Sequence, residues 1–309
     1  MYREIRAMQR RLNLAALSQI LRLPSYRDLQ RYRPVLPRHS QPSDMSLSHR
    51  LLLGYALCSL LIALSLYLLG GYHSGFHTLN GWGAVIPKDV WAAITTLGDT
   101  RVALAVLLFY IYRHPQLLAA TLLASIPTTL VVQVAKRGFP LPRPSGVLEG
   151  DSFIQIGQVL KMGSFPSGHS ATAAVLVTLI LLVTTGRSTK LLLLVAMFLM
   201  AVSRVAVGAH WPVDILVGSA VGVFCALFGY HMSIRQRWCR LSVSQWCVVS
   251  LLVYAAVSLF AEDSGYPSVH WFTVLIGVTG LAAYALQLSG LRYRHGRRWL
   301  LATLNPGNQ

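Results

Sequence analysis

Long apolar stretches dominate the chain of 309 residues and limit what it can fold into. Lipid offers no hydrogen-bond partner to a free backbone group, so only helices and closed barrels cross a membrane. Eight stretches are apolar enough to suggest spans: 51–69, 102–113, 117–135, 170–184, 191–207, 212–232, 243–261 and 271–288. They predict an all-α fold, a polytopic bundle of transmembrane helices.

The second stretch, 102–113, is short for a bilayer, and a separate helix is expected just before it. Trp91, Ile94 and Leu97 recur at roughly helical spacing, and tryptophan is common at membrane interfaces. We therefore expect a short interfacial helix that ends near Gly98.

The charge of the chain indicates its orientation in the membrane. Charged residues make up only 12%, about half of the usual share, yet the net charge is +17. In a soluble protein this excess would suggest a nucleic-acid partner, but the positive-inside rule explains it better here. Eight spans put both termini on one side, which carries twenty of the 27 Lys and Arg residues. We predict cytoplasmic termini, a cell inner membrane location and no nucleic-acid partner.

The first fifty residues form a basic segment with ten arginines. We expect no signal peptide here, because Gln19 and Arg22 interrupt the apolar stretch 12–23 and a signal peptide needs a cleaner stretch with a small-residue cleavage site. Two interpretations stay open: a partly disordered tail, and an amphipathic helix that lies on anionic lipid.

Three polar segments interrupt the apolar helices, at 136–144, 166–169 and 203–214. Alternation of the spans places all three at the membrane face opposite the termini. Ionisable groups are costly at a membrane, so their presence there suggests a function. We expect the three segments to form one site at the periplasmic, or outer, face.

Three cations in these segments, Lys136, Arg143 and Arg204, suit a phosphoryl group. Phosphoryl transfer spreads negative charge over three oxygens, and catalysis consists mainly of positioning and charge stabilisation. An arginine can bind two of these oxygens at once. An ion pair with Asp214 is an alternative role for Arg204 and does not exclude phosphate binding.

Ser167 and Gly168 lie where the fourth span begins, and we predict that both bind the phosphate. Free amides at a helix N-terminus attract anions, and glycine lets a ligand approach the backbone. The Ser167 hydroxyl either adds a contact to the phosphate or caps the helix.

Two histidines and an aspartate complete the chemistry. His210 and Asp214 are four residues apart at the start of a helix, so they share one face and the carboxylate can orient the imidazole. We predict His210 as the nucleophile, Asp214 as its orienting partner, and His169 as the general acid that later activates water. Four other histidines are predicted to lie at the membrane interface: His73, His77, His231 and His270.

These residues resemble one known family. The patterns Lys136-x6-Arg143-Pro144, Pro166-Ser167-Gly168-His169 and Ser203-Arg204-x5-His210-x3-Asp214 are similar to the three motifs of the type 2 phosphatidic acid phosphatases, or lipid phosphate phosphatases. The resemblance implies a membrane-bound bacterial enzyme with a six-helix core at 51–232, a phosphohistidine intermediate on His210, and no metal or other cofactor. The basic segment 1–50 and residues 233–309, with two further helices and a basic tail, fall outside it.

The expected function is hydrolysis of a lipid-linked phosphate or diphosphate, with membrane lipids as the other partners. Candidate substrates are undecaprenyl diphosphate, phosphatidylglycerol phosphate, phosphatidate and the phosphates of lipid A. Two alternatives stay open. One is a phosphotransferase that passes the same phosphoryl group to another lipid, and the other is a transport or scaffold protein with a vestigial site. The intact motifs weigh against the second.

Overall fold

The computed structural model of the protein describes residues 42–304, with gaps at 112–113, 115 and 237–241. Most of the predicted basic segment 1–50 therefore lies outside the described residues. Within the described part, eleven α-helices follow one another: α1 Pro42–Gly70, α2 Phe76–Gly81, α3 Lys88–Thr96, α4 Thr100–Leu107, α5 Gln116–Gly138, α6 Pro144–Val147, α7 Gly168–Val183, α8 Arg187–Ala206, α9 Pro212–Arg235, α10 Ser242–Ser258 and α11 His270–Leu304.

The helices confirm the predicted all-α, multi-pass bundle. Among the described residues, three whole helices (α5, α8, α9) and the stretches Leu47–Gly70 and Pro267–Leu288 are long and apolar enough to cross a membrane. The helices α7 and α10 are apolar but shorter, and α3 with α4 forms a bent pair that qualifies only when it is taken as one span.

The second predicted span differs most from the structure. Instead of one helix over 102–113, the chain forms the expected short helix as α3 and then the short α4, and the two axes differ by 66°. The side chain of Asp99 caps α4 by accepting hydrogen bonds from the backbone amides of Arg101 and Val102, at 2.8 and 3.4 Å. This cap stabilises a new helix start that apolar periodicity does not reveal.

The helix α9 is the centre of the bundle and packs against α1, α5 and α7. Its approach to α7 depends on two glycines one turn apart. A β-carbon at Gly218 would lie 2.5 Å from the carbonyl oxygen of Ser167, and one at Gly222 would lie 2.2 Å from that of Ala171. Small residues four apart let membrane helices touch backbone to backbone. The start of α7 is thereby held against the start of α9.

The two C-terminal helices also pack against the rest of the bundle. Both α10 and α11 contact α4, and α10 also contacts α5. Val102 and Leu108 are buried there together with Val248 and Leu252 of α10. Residues beyond the predicted core are therefore joined to it through a shared apolar cluster.

We predict that Gly222→Val destabilises the bundle, because the new side chain meets the α7 backbone where no flexible group can yield. Overpacking of this kind costs about 1–3 kcal/mol. The measurement is the thermal midpoint of the purified protein in detergent. The control is Gly54→Val in α1, where a β-carbon would have no neighbour within 4 Å. Equal midpoints for the two variants would contradict the close approach of α7 and α9.

Candidate active site

The helix ends carry the three polar segments to one place. Lys136 lies in the last turn of α5 and Arg204 in the last turn of α8, whereas α7 begins at Gly168 and α9 at Pro212. The backbone amide of Ser167 donates to the carbonyl oxygen of Asp214 at 3.1 Å, which ties the beginnings of α7 and α9 together.

Arg143 links the first segment to the third and to the loop that precedes the second. Its guanidinium donates to three carbonyl oxygens, those of Met162 at 3.1 Å, Ala209 at 3.2 Å and Gly163 at 3.4 Å. The indole of Trp211 adds a hydrogen bond to the carbonyl oxygen of Pro142 at 2.8 Å. These contacts fix the loop that follows α5 against the turn that carries His210.

The predicted cations gather around the predicted nucleophile. His210 is buried, and burial together with the charges of Arg143, Arg204 and Lys136 holds the pKa of its imidazole well below the ordinary value of 6.5. His169 interacts electrostatically with the same three cations and with His210. Five of the predicted site residues therefore share one neighbourhood, and at neutral pH the His210 ring is uncharged.

His210 and Asp214 form the predicted pair. The Nδ1 atom of His210 lies 3.2 Å from Oδ2 of Asp214, and both side chains are almost fully buried. When Nδ1–H donates to the carboxylate, the lone pair of the ring lies on Nε2. This is the tautomer that a nucleophilic histidine needs.

Asp214 has further partners that sequence analysis did not predict. The hydroxyl groups of Ser164 and Tyr72 donate to its carboxylate, and so does the backbone amide of Trp211, at 3.0 Å. Burial and the nearby carboxylate raise the pKa of the Tyr72 phenol, so it stays a donor. Tyr72 follows α1, far from the motifs in sequence, and only its position just after a predicted span could have drawn attention to it.

His73 was predicted to be merely interfacial, and the structure gives it a neighbour in the site region. Its ring stacks on that of Trp211, with centroids 3.9 Å apart and planes 25° apart. Partial burial lowers the pKa of His73. Its position over Trp211 makes it a packing group at the edge of the site.

Arg204 does not take the alternative role of an ion-pair partner of Asp214. Its Nη1 donates to the hydroxyls of Thr95 at 2.7 Å and Tyr266 at 2.8 Å, whereas its buried Nε has no partner among the described residues. Thr95 lies in α3 and Tyr266 in the loop before α11. Neither was predicted, because an isolated hydroxyl leaves no pattern in sequence.

The start of α7 is arranged as a capped helix. The Ser167 oxygen accepts hydrogen bonds from the Ser170 amide at 3.3 Å and the Ser170 hydroxyl at 2.9 Å, so Ser167 caps α7. Its own hydroxyl hydrogen remains available to an anion. Gly168 is not required by packing, since a β-carbon there would meet only Val132 at an ordinary 3.8 Å. The Nε2 atom of His169 is buried without a partner among the described residues.

The remaining polar residues differ in role. Ser203, which belongs to the third segment, donates its hydroxyl to the carbonyl oxygen of Met200 at 2.7 Å and so serves the helix. Burial and repulsion from Arg204 lower the pKa of Arg143 to about 10, which leaves it cationic at neutral pH. Across the described residues, no group of three His, Cys, Asp or Glu side chains is placed to hold a metal ion.

The electrostatic arrangement predicts how activity depends on pH. Attack requires neutral His210, and its lowered pKa keeps the acidic limb of kcat/KM below pH 6.5. Lys136→Gln removes one repelling charge, so the pKa of His210 rises and the acidic limb moves to higher pH. The measurement is a pH profile of kcat/KM on one substrate.

Arg137→Gln is the matched control, because this neighbouring charge is exposed and is not among those that act on His210. Its profile should coincide with that of the unmodified protein. An unmoved acidic limb for Lys136→Gln would contradict the electrostatic coupling to His210.

Comparison with known proteins covers part of the chain. The PAP2 superfamily matches residues 113–238, which include all three polar segments. Among solved structures, the crystal structure of Aquifex aeolicus LpxE has 27% sequence identity and a TM-score of 0.45, and the match covers 52% of this chain and 93% of that chain. No curated protein sequence matches significantly. The three motifs thus lie inside the segment 113–238, which is similar to the PAP2 superfamily.

Proposed function

We propose that the protein removes a phosphoryl group from a lipid-linked phosphate or diphosphate through a covalent intermediate on His210. The match of residues 113–238 to the PAP2 superfamily supports a phosphatase, a phosphoric ester hydrolase that acts on lipid phosphates. The lipid-linked substrate and the covalent intermediate are inferred from the site. The observation that carries the inference is the neutral, buried His210, which Asp214 holds beside three cations.

The first step uses His210 as the nucleophile. Its Nε2 forms a bond to phosphorus while the bond from phosphorus to the oxygen of the leaving group breaks. Lys136, Arg143 and Arg204 stabilise the charge on the three equatorial oxygens, and Asp214 stabilises the positive imidazole. The bound phosphate brings negative charge beside His169, and this lets the imidazole hold a proton despite the three cations. His169 gives this proton to the leaving oxygen, so a neutral alcohol or a protonated phosphate departs.

The second step returns the enzyme to its starting state. His169, now neutral, takes a proton from a water molecule, whose oxygen bonds to phosphorus while the bond to His210 breaks. Inorganic phosphate leaves, and His169 is again protonated. The unpartnered Nε2 of His169 supports this role, because a buried ring nitrogen without a partner is costly unless a ligand supplies one.

An apolar cavity next to the site supports a lipid substrate. It has a volume of about 390 Å³ and lies between α1, α9 and the loop residues Phe139 and Phe165. Tyr72 lines it and also contacts the Asp214 carboxylate. A tail in this cavity would place its head group beside His210, which is the arrangement that a lipid phosphate requires.

The location of the site follows from the same proposal. The excess of Lys and Arg at the termini and in alternate loops favours an inner-membrane protein with cytoplasmic ends. The site then faces the periplasm or the outer surface. We keep the division into a basic segment 1–50, a phosphatase core 51–232 and two additional helices in 233–309 as part of the proposal.

We predict that His210→Ala lowers phosphate release from lipid phosphates by a factor of roughly 10³ or more, because the nucleophile is lost. The assay measures inorganic phosphate from purified protein in EDTA with the four candidate lipids. His77→Ala is the control, since His77 is exposed. Undiminished release by His210→Ala would refute the assigned nucleophile.

Vanadate, which imitates five-coordinate phosphorus, should inhibit the unmodified enzyme.

The same assay addresses the phosphotransferase. Products are analysed by mass spectrometry with and without an acceptor lipid. Hydrolysis yields inorganic phosphate in both cases, whereas a transferase would yield a newly phosphorylated lipid that depends on the acceptor. We expect inorganic phosphate as the main product.

A further inference from the structure

The loop between the two C-terminal helices reaches into the candidate site. Tyr266 lies in this loop, after the PAP2 segment has ended at residue 238. Its side chain is 7% exposed, and its hydroxyl lies 2.8 Å from Nη1 of Arg204. A residue outside the matched segment thus contacts one of the predicted phosphate-binding cations inside it.

The hydroxyl contacts leave one edge of the Arg204 guanidinium free. Nη1 has two hydrogens, and Thr95 and Tyr266 accept one each, at 2.7 and 2.8 Å. The buried Nε has no partner among the described residues. Nε and Nη2 form the edge with which an arginine binds two oxygens of a phosphate. Two acceptors on Nη1 fix the orientation of this edge.

The loop that carries Tyr266 is fastened on two sides. Arg101 at the start of α4 donates to the Glu262 carboxylate at 3.0 Å and to the carbonyl oxygen of Asp263 at 2.9 Å. The backbone amide of Gln158 donates to the carbonyl oxygen of Gly265 at 3.2 Å. Neighbouring Gly157 lies so close that a β-carbon on it would be 2.3 Å from the Tyr266 ring.

The ring of Tyr266 is also part of a buried apolar cluster, in which Trp91 of α3, Ile156 and Val269 take part. Because α3 supplies both Trp91 and Thr95, the same helix supports the ring of Tyr266 and provides the second acceptor for Arg204. The position of the hydroxyl is therefore set by packing rather than by a free side-chain rotation.

We propose that Tyr266 is a positioning residue of the phosphatase, and that the C-terminal helices serve catalysis by holding its hydroxyl on Arg204. Tyr266 acts through Arg204 and does not itself touch the phosphate. The inference rests on the proposed function, since it assigns a task to a residue beside the same site. It also gives the two helices beyond the PAP2 segment a catalytic purpose.

The test is Tyr266→Phe in the full chain, which removes the hydroxyl and keeps the ring in its cluster. We expect kcat/KM to fall roughly tenfold, mainly through kcat, because one hydrogen bond to a charged group is lost. The affinity for vanadate, measured from the rise in thermal midpoint that vanadate causes, should weaken by a similar factor. The thermal midpoint without vanadate should fall only modestly, because the ring keeps its place in the cluster and only one hydrogen bond is lost. Tyr254→Phe is the control, because Tyr254 of α10 is exposed and should retain full activity.

A double-mutant cycle separates positioning from a general structural role. A lysine at position 204 has no two-pronged edge to orient, so Tyr266→Phe should have no further effect in an Arg204→Lys background. An equal tenfold loss in that background would overturn the inference. Gly157→Ala is the second variant, because its methyl group displaces the ring of Tyr266, and it should also weaken vanadate binding.

The outcomes distinguish this inference from the proposed function. If the unmodified enzyme hydrolyses lipid phosphates and Tyr266→Phe matches it in kcat/KM and vanadate binding, the inference fails and the function stands. If the unmodified protein releases no phosphate from any lipid, the function fails, and weaker vanadate binding by Tyr266→Phe would still support the hold on Arg204. A protein that neither releases phosphate from any lipid nor binds vanadate would overturn both.

Discussion

The buried carboxylate of Asp214 is the group on which the site depends. Removal of a carboxylate from water is very costly unless hydrogen bonds and positive charges compensate. Here His210, the backbone amide of Trp211, and the hydroxyls of Ser164 and Tyr72 surround it. These partners come from the segment after α1, the loop before α7 and the start of α9. One charge therefore joins three parts of the chain and orients His210, the nucleophile of the proposed function.

The three cations of the site repel one another. Lys136, Arg143 and Arg204 lie near one another and near His210, and one buried carboxylate does not neutralise them. An arrangement of this kind costs stability in the empty site, but it becomes favourable when an anion with two negative charges enters. The carbonyl oxygens around Arg143 and the hydroxyls around Arg204 hold the two guanidinium groups in place meanwhile. In the proposed function, these groups are thereby positioned before a phosphate binds.

The spans and the motif residues could be predicted because each leaves a local signature. The length of the apolar stretches predicted the helices. The prediction was wrong at 102–113 because the side chain of Asp99 caps a new helix there, which apolar length alone does not reveal. The alternation of helices predicted that His169 and His210 lie at one membrane face. In the structure the two histidines are close enough to interact electrostatically. The role of Arg143 as a link between the polar segments could not be foreseen, because its carbonyl partners carry no sequence signal.

The sequence by itself determined the helical membrane fold and the set of reactive groups, because lipid forces the backbone into helices and because charged residues are rare enough in such a chain to stand out. Only the tertiary structure decided which hydroxyls hold those groups. Tyr72, Thr95 and Tyr266 are distant from the motifs along the chain, and a single hydroxyl does not disturb an apolar pattern. Their role depends on which helix ends meet, and that is set by packing between elements far apart in sequence.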